Sequence, residues 1–97
     1  MKGKPIVVTT EFRGVFFGYI DPEDTLESAP EKITLTQARN CVYWSEDTRG
    51  VLGLAVSGPT KNCRIGQPVP NFTAWKITSV MECTPEAAEQ WEEAPWK

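Results

Sequence analysis

Residues 32–45, KITLTQARNCVYWS, decide how this chain folds. Side chains of a strand alternate between its two faces. Ile33 and Leu35 alternate with polar partners and read as one strand, and Val42, Tyr43 and Trp44 read as strand again. One face then carries Arg39, Cys41 and Tyr43, and the other Asn40, Val42 and Trp44, so neither is cleanly apolar. Val42 and Trp44 point the same way as Ile33 and Leu35 only if the frame shifts. A bend or bulge near Thr36–Ala38 would do this, since one extra residue flips every later side chain. Two short strands in place of one would remove the conflict.

The segments on either side fill in the elements. PIVVTTEF, residues 5–12, is β-branched and aromatic, a strand by composition. Arg13-Gly14 signals a tight turn, and VFFGYI, residues 15–20, is a second strand. The pair reads as a hairpin, with a single strand bulged at Gly14 as the alternative. Gly18 inside the second strand suggests a bulge or a close approach by another group. Residues 21–32, DPEDTLESAPEK, form a solvated acidic loop without the ordering of a metal loop.

Residues 46–59, EDTRGVLGLAVSGP, read as a short helix in preference to a strand. Asp47 or Thr48 offers an N-cap, Gly58-Pro59 a stop, and Val51, Leu52, Leu54 and Ala55 a core face. Residues 60–71 are irregular, with an edge strand at most, because Pro68 and Pro70 exclude a central one. FTAWKITSVMEC, residues 72–83, reads as one long strand with Trp75, Ile77, Met81 and Cys83 inward. Thr84-Pro85-Glu86 then opens a helix over 85–93, with Thr84 as N-cap, Pro85 at N1, Ala88 and Trp91 on one side and Pro95 as the stop.

Ninety-seven residues make one domain, 1–97, of expected class α+β. A twisted antiparallel sheet of about five strands, or a partly open barrel, would pack against one or two short helices. Trp44 and Trp75 are expected in the core, while Trp91 and Trp96 are as well suited to an interface. Four tryptophans exceed what so small a core hides comfortably, so a homo-oligomer is expected.

The net charge of −3 argues against a long nucleic-acid tract, which demands a basic face. A small anionic ligand needs only two or three placed cations. No stretch has the length of a membrane span, and the first residues lack the pattern of a signal peptide, so a cytoplasmic protein is expected. Cysteines at 41, 63 and 83 are odd in number with no CxxC pair, which favours reduced, buried thiols. No cofactor or metal is implied.

There is no histidine, so Ser-His and Cys-His nucleophile systems are excluded. Neither GxxxxGK[ST] nor GxGxxG occurs. Binding is the expected role, and no catalytic residues are assigned. Candidate ligand-binding residues are Arg39, Tyr43, Trp44, Arg49, Gly50, Lys61 and Arg64. A guanidinium offers paired donors to phosphate, an aromatic face stacks on a base, and a helix N-terminus supplies N–H groups to an anion. Together these suit a nucleotide-sized ligand.

The strings FRGVFFGYI, ITLTQARNCVYW, RGVLGLAVSGPTKNCRI and ITSVMECTPEAAEQW span nearly the whole chain. They resemble a family of small phage and prophage proteins known only as a domain of unknown function. The resemblance implies a viral or mobile-element origin and transfers no catalytic residues. Small phage proteins of this kind are often antagonists of host immunity. The expectation is a non-enzymatic sponge for a cyclic nucleotide immune signal, of anti-CBASS or anti-Thoeris type. The alternatives are an inhibitor that binds a host defence protein, of anti-CRISPR type, and a structural or regulatory phage protein.

Overall fold

The computed structural model describes residues 3–11, 14–20 and 32–95. The expected Arg13 turn, most of the acidic loop and Trp96 lie outside them. Among the described residues six strands and two α-helices follow in order: β1 (Lys4–Thr10), β2 (Gly14–Ile20), β3 (Lys32–Tyr43), α1 (Val51–Val56), β4 (Arg64–Ile65), β5 (Val69–Trp75), β6 (Ile77–Glu82) and α2 (Pro85–Glu93). The sheet is antiparallel in the order β4-β3-β2-β1-β6, and β5 pairs with the first part of β3. The chain is thus α+β. Among the described residues, no helix is long and apolar enough to cross a membrane.

β1 and β2 form the expected hairpin, from Lys4 opposite Ile20 to Thr10 opposite Gly14. β1 then pairs along its other edge with β6. Ile6, Val7 and Val8 are consecutive and each is fully buried. That is possible only for a strand covered on both faces. Two cores provide the cover. Val7, Phe17, Tyr19, Cys41, Leu54, Ile65 and Trp91 lie in the core that includes helix residues. Ile6, Val8, Ile20, Ile33, Leu35, Ala38 and Ala74 form a second core of strand residues alone, with Phe16 and Phe72 packed against it.

β3 serves both cores. Ile33, Leu35 and Ala38 belong to the strand-only core and Cys41 to the helical one. The switch is at Gln37, which takes left-handed backbone angles (φ 51°). The ladder to β2 loses register there, between Phe17 and Tyr19. The frame shift falls where the sequence required it, but in one bulged strand and not in two. Gly18 sits at the same irregularity. A Cβ on it would lie 2.6 Å from Leu35 Cβ, so the residue must be glycine for the strands to approach.

The reading of 72–83 as one strand is corrected. Lys76 has φ 56° and separates β5 from β6, which lie on opposite sides of the sheet. A single residue joins them, so the sheet has to curl into a partly open barrel around the strand-only core. The break also shifts the inward frame. Ala74 is buried and Trp75 is 57% exposed, against expectation, with Lys32 Nζ 5.0 Å from its ring centroid. Met81 and Cys83 do face inward, against the helical core, and Ile77 packs on the other. Pro70 lies within β5, which is tolerated because β5 pairs on one edge only, with β3.

The helix over 46–59 is present, preceded by a 3-10 turn at Glu46–Thr48. Its N-cap is Gly50 and not Asp47 or Thr48, and Leu52 is exposed while Leu54 and Ala55 are buried. Gly53 is required by packing: a Cβ there would fall 1.6 Å from the Thr48 carbonyl oxygen. α2 begins as expected, with Ala87 N–H donating to Thr84 Oγ1 at 3.0 Å and Pro85 in the first turn. The Thr84 hydroxyl also donates to Val56 O at 2.6 Å, which ties the two helices together. Trp91 is fully buried, stacked on Phe17 at 5.1 Å, with its indole N–H donating to Leu54 O at 2.9 Å. Removing such a side chain typically costs about 3–5 kcal/mol.

Gly53→Ala is expected to destabilise the protein by about 3 kcal/mol, because the carbonyl it meets is backbone and cannot rotate away. Urea denaturation of the two proteins measures it.

Candidate functional site

At the end of β3 the chain passes through Trp44 and Ser45 into the 3-10 turn. The turn is closed by Thr48 N–H and Thr48 Oγ1, both donating to Ser45 O, at 3.1 and 2.8 Å. Asp47 then becomes an acceptor hub. One carboxylate oxygen accepts the hydroxyls of Ser45 and Thr60, the latter at 3.0 Å, and the other accepts the Asn62 amide at 3.1 Å. The Ser45 bond, aided by Thr60 and Asn62, holds the Asp47 carboxyl below its usual range, so it is ionised at neutral pH. The hub joins the 3-10 turn to the turn at 60–63, where Cys63 N–H donates to Thr60 O at 3.0 Å.

Tyr43, Ser45, Glu46, Asp47 and Asn62 line an open groove of about 690 Å³ there. Tyr43 is 53% exposed. Its register partner across the ladder is Arg64, and Lys61 adjoins Asn62. Arg49 follows the 3-10 turn in the left-handed region (φ 63°), and Gly50 caps α1. Arg49, Lys61 and Arg64 are exposed. Five of the residues singled out in the sequence therefore belong to the groove or to the segments that form it. The Asp47 hub was not among them. Its signal was faint, a small polar cluster on each of two turns with nothing to show that they meet.

The other two lie elsewhere. Trp44 is half-buried and packs against the helical core. Arg39 stands four residues before Tyr43, roughly 13 Å away along an extended strand. It is 3% exposed. Its Nε donates to Gly66 O at 2.8 Å, and Nη1 donates to Trp91 O at 2.8 Å and to Ala94 O. The last two are carbonyls at the C-terminal end of α2, which have no partner within the helix. A cation there also complements the helix dipole. Burial lowers the pKa of the guanidinium, which still stays protonated at any pH the fold meets.

The cysteines are free, Cys41 and Cys63 buried and Cys83 partly so. Burial pushes the thiols of Cys41 and Cys83 up to about 12, and for Cys41 the neighbouring Cys63 adds to it. Neither is a nucleophile at neutral pH. Among the described residues, no three His, Cys, Asp or Glu side chains group as metal ligands.

The fold and groove define a small α+β protein with a ligand-sized depression at the loop end of a bulged strand. The chain belongs to a family described as a domain of unknown function, DUF6948, whose model matches residues 3–91. No curated protein and no solved structure matches it.

Arg39→Ala is expected to cost about 3 kcal/mol, since three backbone carbonyls lose a charged donor, and Arg39→Lys to recover only part of that. Chemical denaturation with far-UV detection measures both. The raised thiols fix a pH window as well. Well below pH 9 the Cys41 and Cys83 thiols are neutral in folded and unfolded chains alike. Between the ordinary value of 9.0 and about 12 the unfolded chain sheds these protons first. Stability is therefore expected to fall as pH rises through that window. Denaturant midpoints from pH 7 to 11 check it, and Cys83→Ala should flatten the decline.

Proposed function

We propose that the protein binds, without turning over, an anionic nucleotide-type ligand in the Tyr43 groove. The observation that carries this reading is the half-exposed Tyr43 ring in a groove of about 690 Å³ whose flanking segments bear Arg49, Lys61 and Arg64. Stacking on an aromatic face contributes about 1–3 kcal/mol per base. The acids set the orientation of the ligand. Glu46 and ionised Asp47 repel phosphate and accept hydrogen bonds from ribose hydroxyls or exocyclic amines, which places the phosphates toward Arg49, Lys61 and Arg64. Asp47 accepts the Asn62 amide on the oxygen that Ser45 and Thr60 do not use, and a carboxylate oxygen has two lone pairs.

In this reading the protein is a cytoplasmic sponge, encoded by a phage or mobile element, that lowers the free concentration of a cyclic nucleotide immune signal. A groove this open retains a ligand better when a second copy closes over it, and a homo-oligomer is part of the proposal. One observation favours a protein target instead. Leu52 and Val56 lie one turn apart on α1 and are 66% and 59% exposed, a small apolar stripe with no cover among the described residues.

Incubating the protein with a panel of cyclic di- and trinucleotides, filtering, and assaying the filtrate separates the readings. Depletion of one member and its intact release on heating is the expected result. Tyr43→Ala is expected to weaken that binding roughly tenfold or more, and raising the salt to weaken it further. Recovery of an altered nucleotide would make the protein an enzyme. No depletion of any member would exclude the sponge and favour a protein target on α1.

A further inference from the structure

Hydrogen bonding around the Tyr43 groove leaves an uneven set of polar groups for a ligand. Ser45 and Thr60 each have one hydroxyl hydrogen, and both hydrogens go to Asp47. Asn62 gives Asp47 one of its two amide hydrogens, at 3.1 Å. Asp47 therefore absorbs three of the side-chain donors near it. Glu46, its neighbour on the 3-10 turn, is different. It is exposed, lines the same groove, and makes no side-chain hydrogen bond or ion pair among the described residues. Both oxygens of its carboxylate are uncommitted.

A carboxylate accepts and does not donate, and its two oxygens suit two parallel N–H donors, the geometry it uses with a guanidinium. Glu46 and Tyr43 are three residues apart, so their Cα atoms lie within about 11 Å of each other. The edge of a base lying on the Tyr43 ring is then within reach of the Glu46 side chain. The bases differ in what that edge shows. Adenine and cytosine set one exocyclic amine beside a ring nitrogen acceptor, so one carboxylate oxygen gains a bond and the other meets a lone pair. Uracil and thymine hold one ring N–H between two carbonyls. Guanine places a ring N–H beside an exocyclic amine, and the pair copies one side of a guanidinium. The adjoining guanine carbonyl is an acceptor, and Asn62 keeps an amide hydrogen for it.

From this we infer that the groove selects guanine. Tyr43 stacks on the base, and Glu46 accepts the ring N–H and the amine N–H on its two oxygens. Guanine selection rests on the nucleotide reading above and narrows its ligand to signals that carry this base. The cations flanking the groove contact phosphate, which every nucleotide has, so they add no base preference.

Isothermal titration of the intact protein with cyclic di-GMP, cyclic di-AMP and cyclic di-inosine tests this, because the three share one backbone and differ only in the base. Inosine keeps the ring N–H and the carbonyl of guanine and lacks the amine. Cyclic di-GMP is expected to bind about tenfold tighter than either, the effect of one hydrogen bond to a charged group. Tyr43→Ala should weaken all three. Glu46→Gln puts an amine in place of one oxygen and should erase the preference for guanine. If cyclic di-AMP or cyclic di-inosine binds as tightly as cyclic di-GMP, or if the preference survives Glu46→Gln or is indifferent to Tyr43→Ala, guanine selection in the groove is overturned while the nucleotide reading stands. Binding of none of the three overturns it as well, and the filtered panel then decides separately whether the protein takes any other nucleotide.

Discussion

β3 changes face at Gln37, and the contact between sheet and helices depends on that step. Before it, Ile33 and Leu35 point into the strand-only core; after it, Arg39 and Cys41 point toward the helices. Without the extra residue, an unbroken alternation would send all four side chains to one face. Arg39 would then lose α2, and Cys41 would leave the core it shares with Trp91. A non-glycine residue with φ near 50° is uncommon and costs energy. The packing of two cores on one strand offsets that cost.

Arg39 converts this local irregularity into a tertiary link. Its three backbone bonds hold the end of α2 and the turn at Gly66 together against β3. Trp91 on the same helix is held from the other direction by α1, through Leu54 O. The helices are short, and α1 has only six residues. Neither is long enough to be stable alone in water. Their positions come from side chain–backbone bonds at their ends and from the buried face beneath, more than from helical propensity.

The loop end of β3 has a different character. Asp47 organises it through three polar side chains, and the groove beside it is shallow and open. Under the proposed function, recognition there rests on the exposed Tyr43 ring and on the cations of the flanking segments. The cavity at Arg39 is smaller, and its lining comes from β2, β3, α2 and Pro68.

Much of the local structure was legible in the residues themselves. The β1–β2 hairpin, the capping of α2 by Thr84 and Pro85, the close approach at Gly18 and the break near Thr36–Ala38 rest on periodicity, capping chemistry and steric limits that act within a few positions. What stayed out of reach was everything set by distant partners. Trp75 alternates as well as Ile77 does, but the left-handed Lys76 sends the chain to the far side of the sheet and leaves Trp75 outside. Arg39 and Arg64 are equivalent in sequence. One is buried because the carbonyls of Gly66, Trp91 and Ala94 converge on it, and the other is exposed on a two-residue edge strand. A residue's type states which bonds it is able to make, and only the folded chain decides which partners arrive to make them.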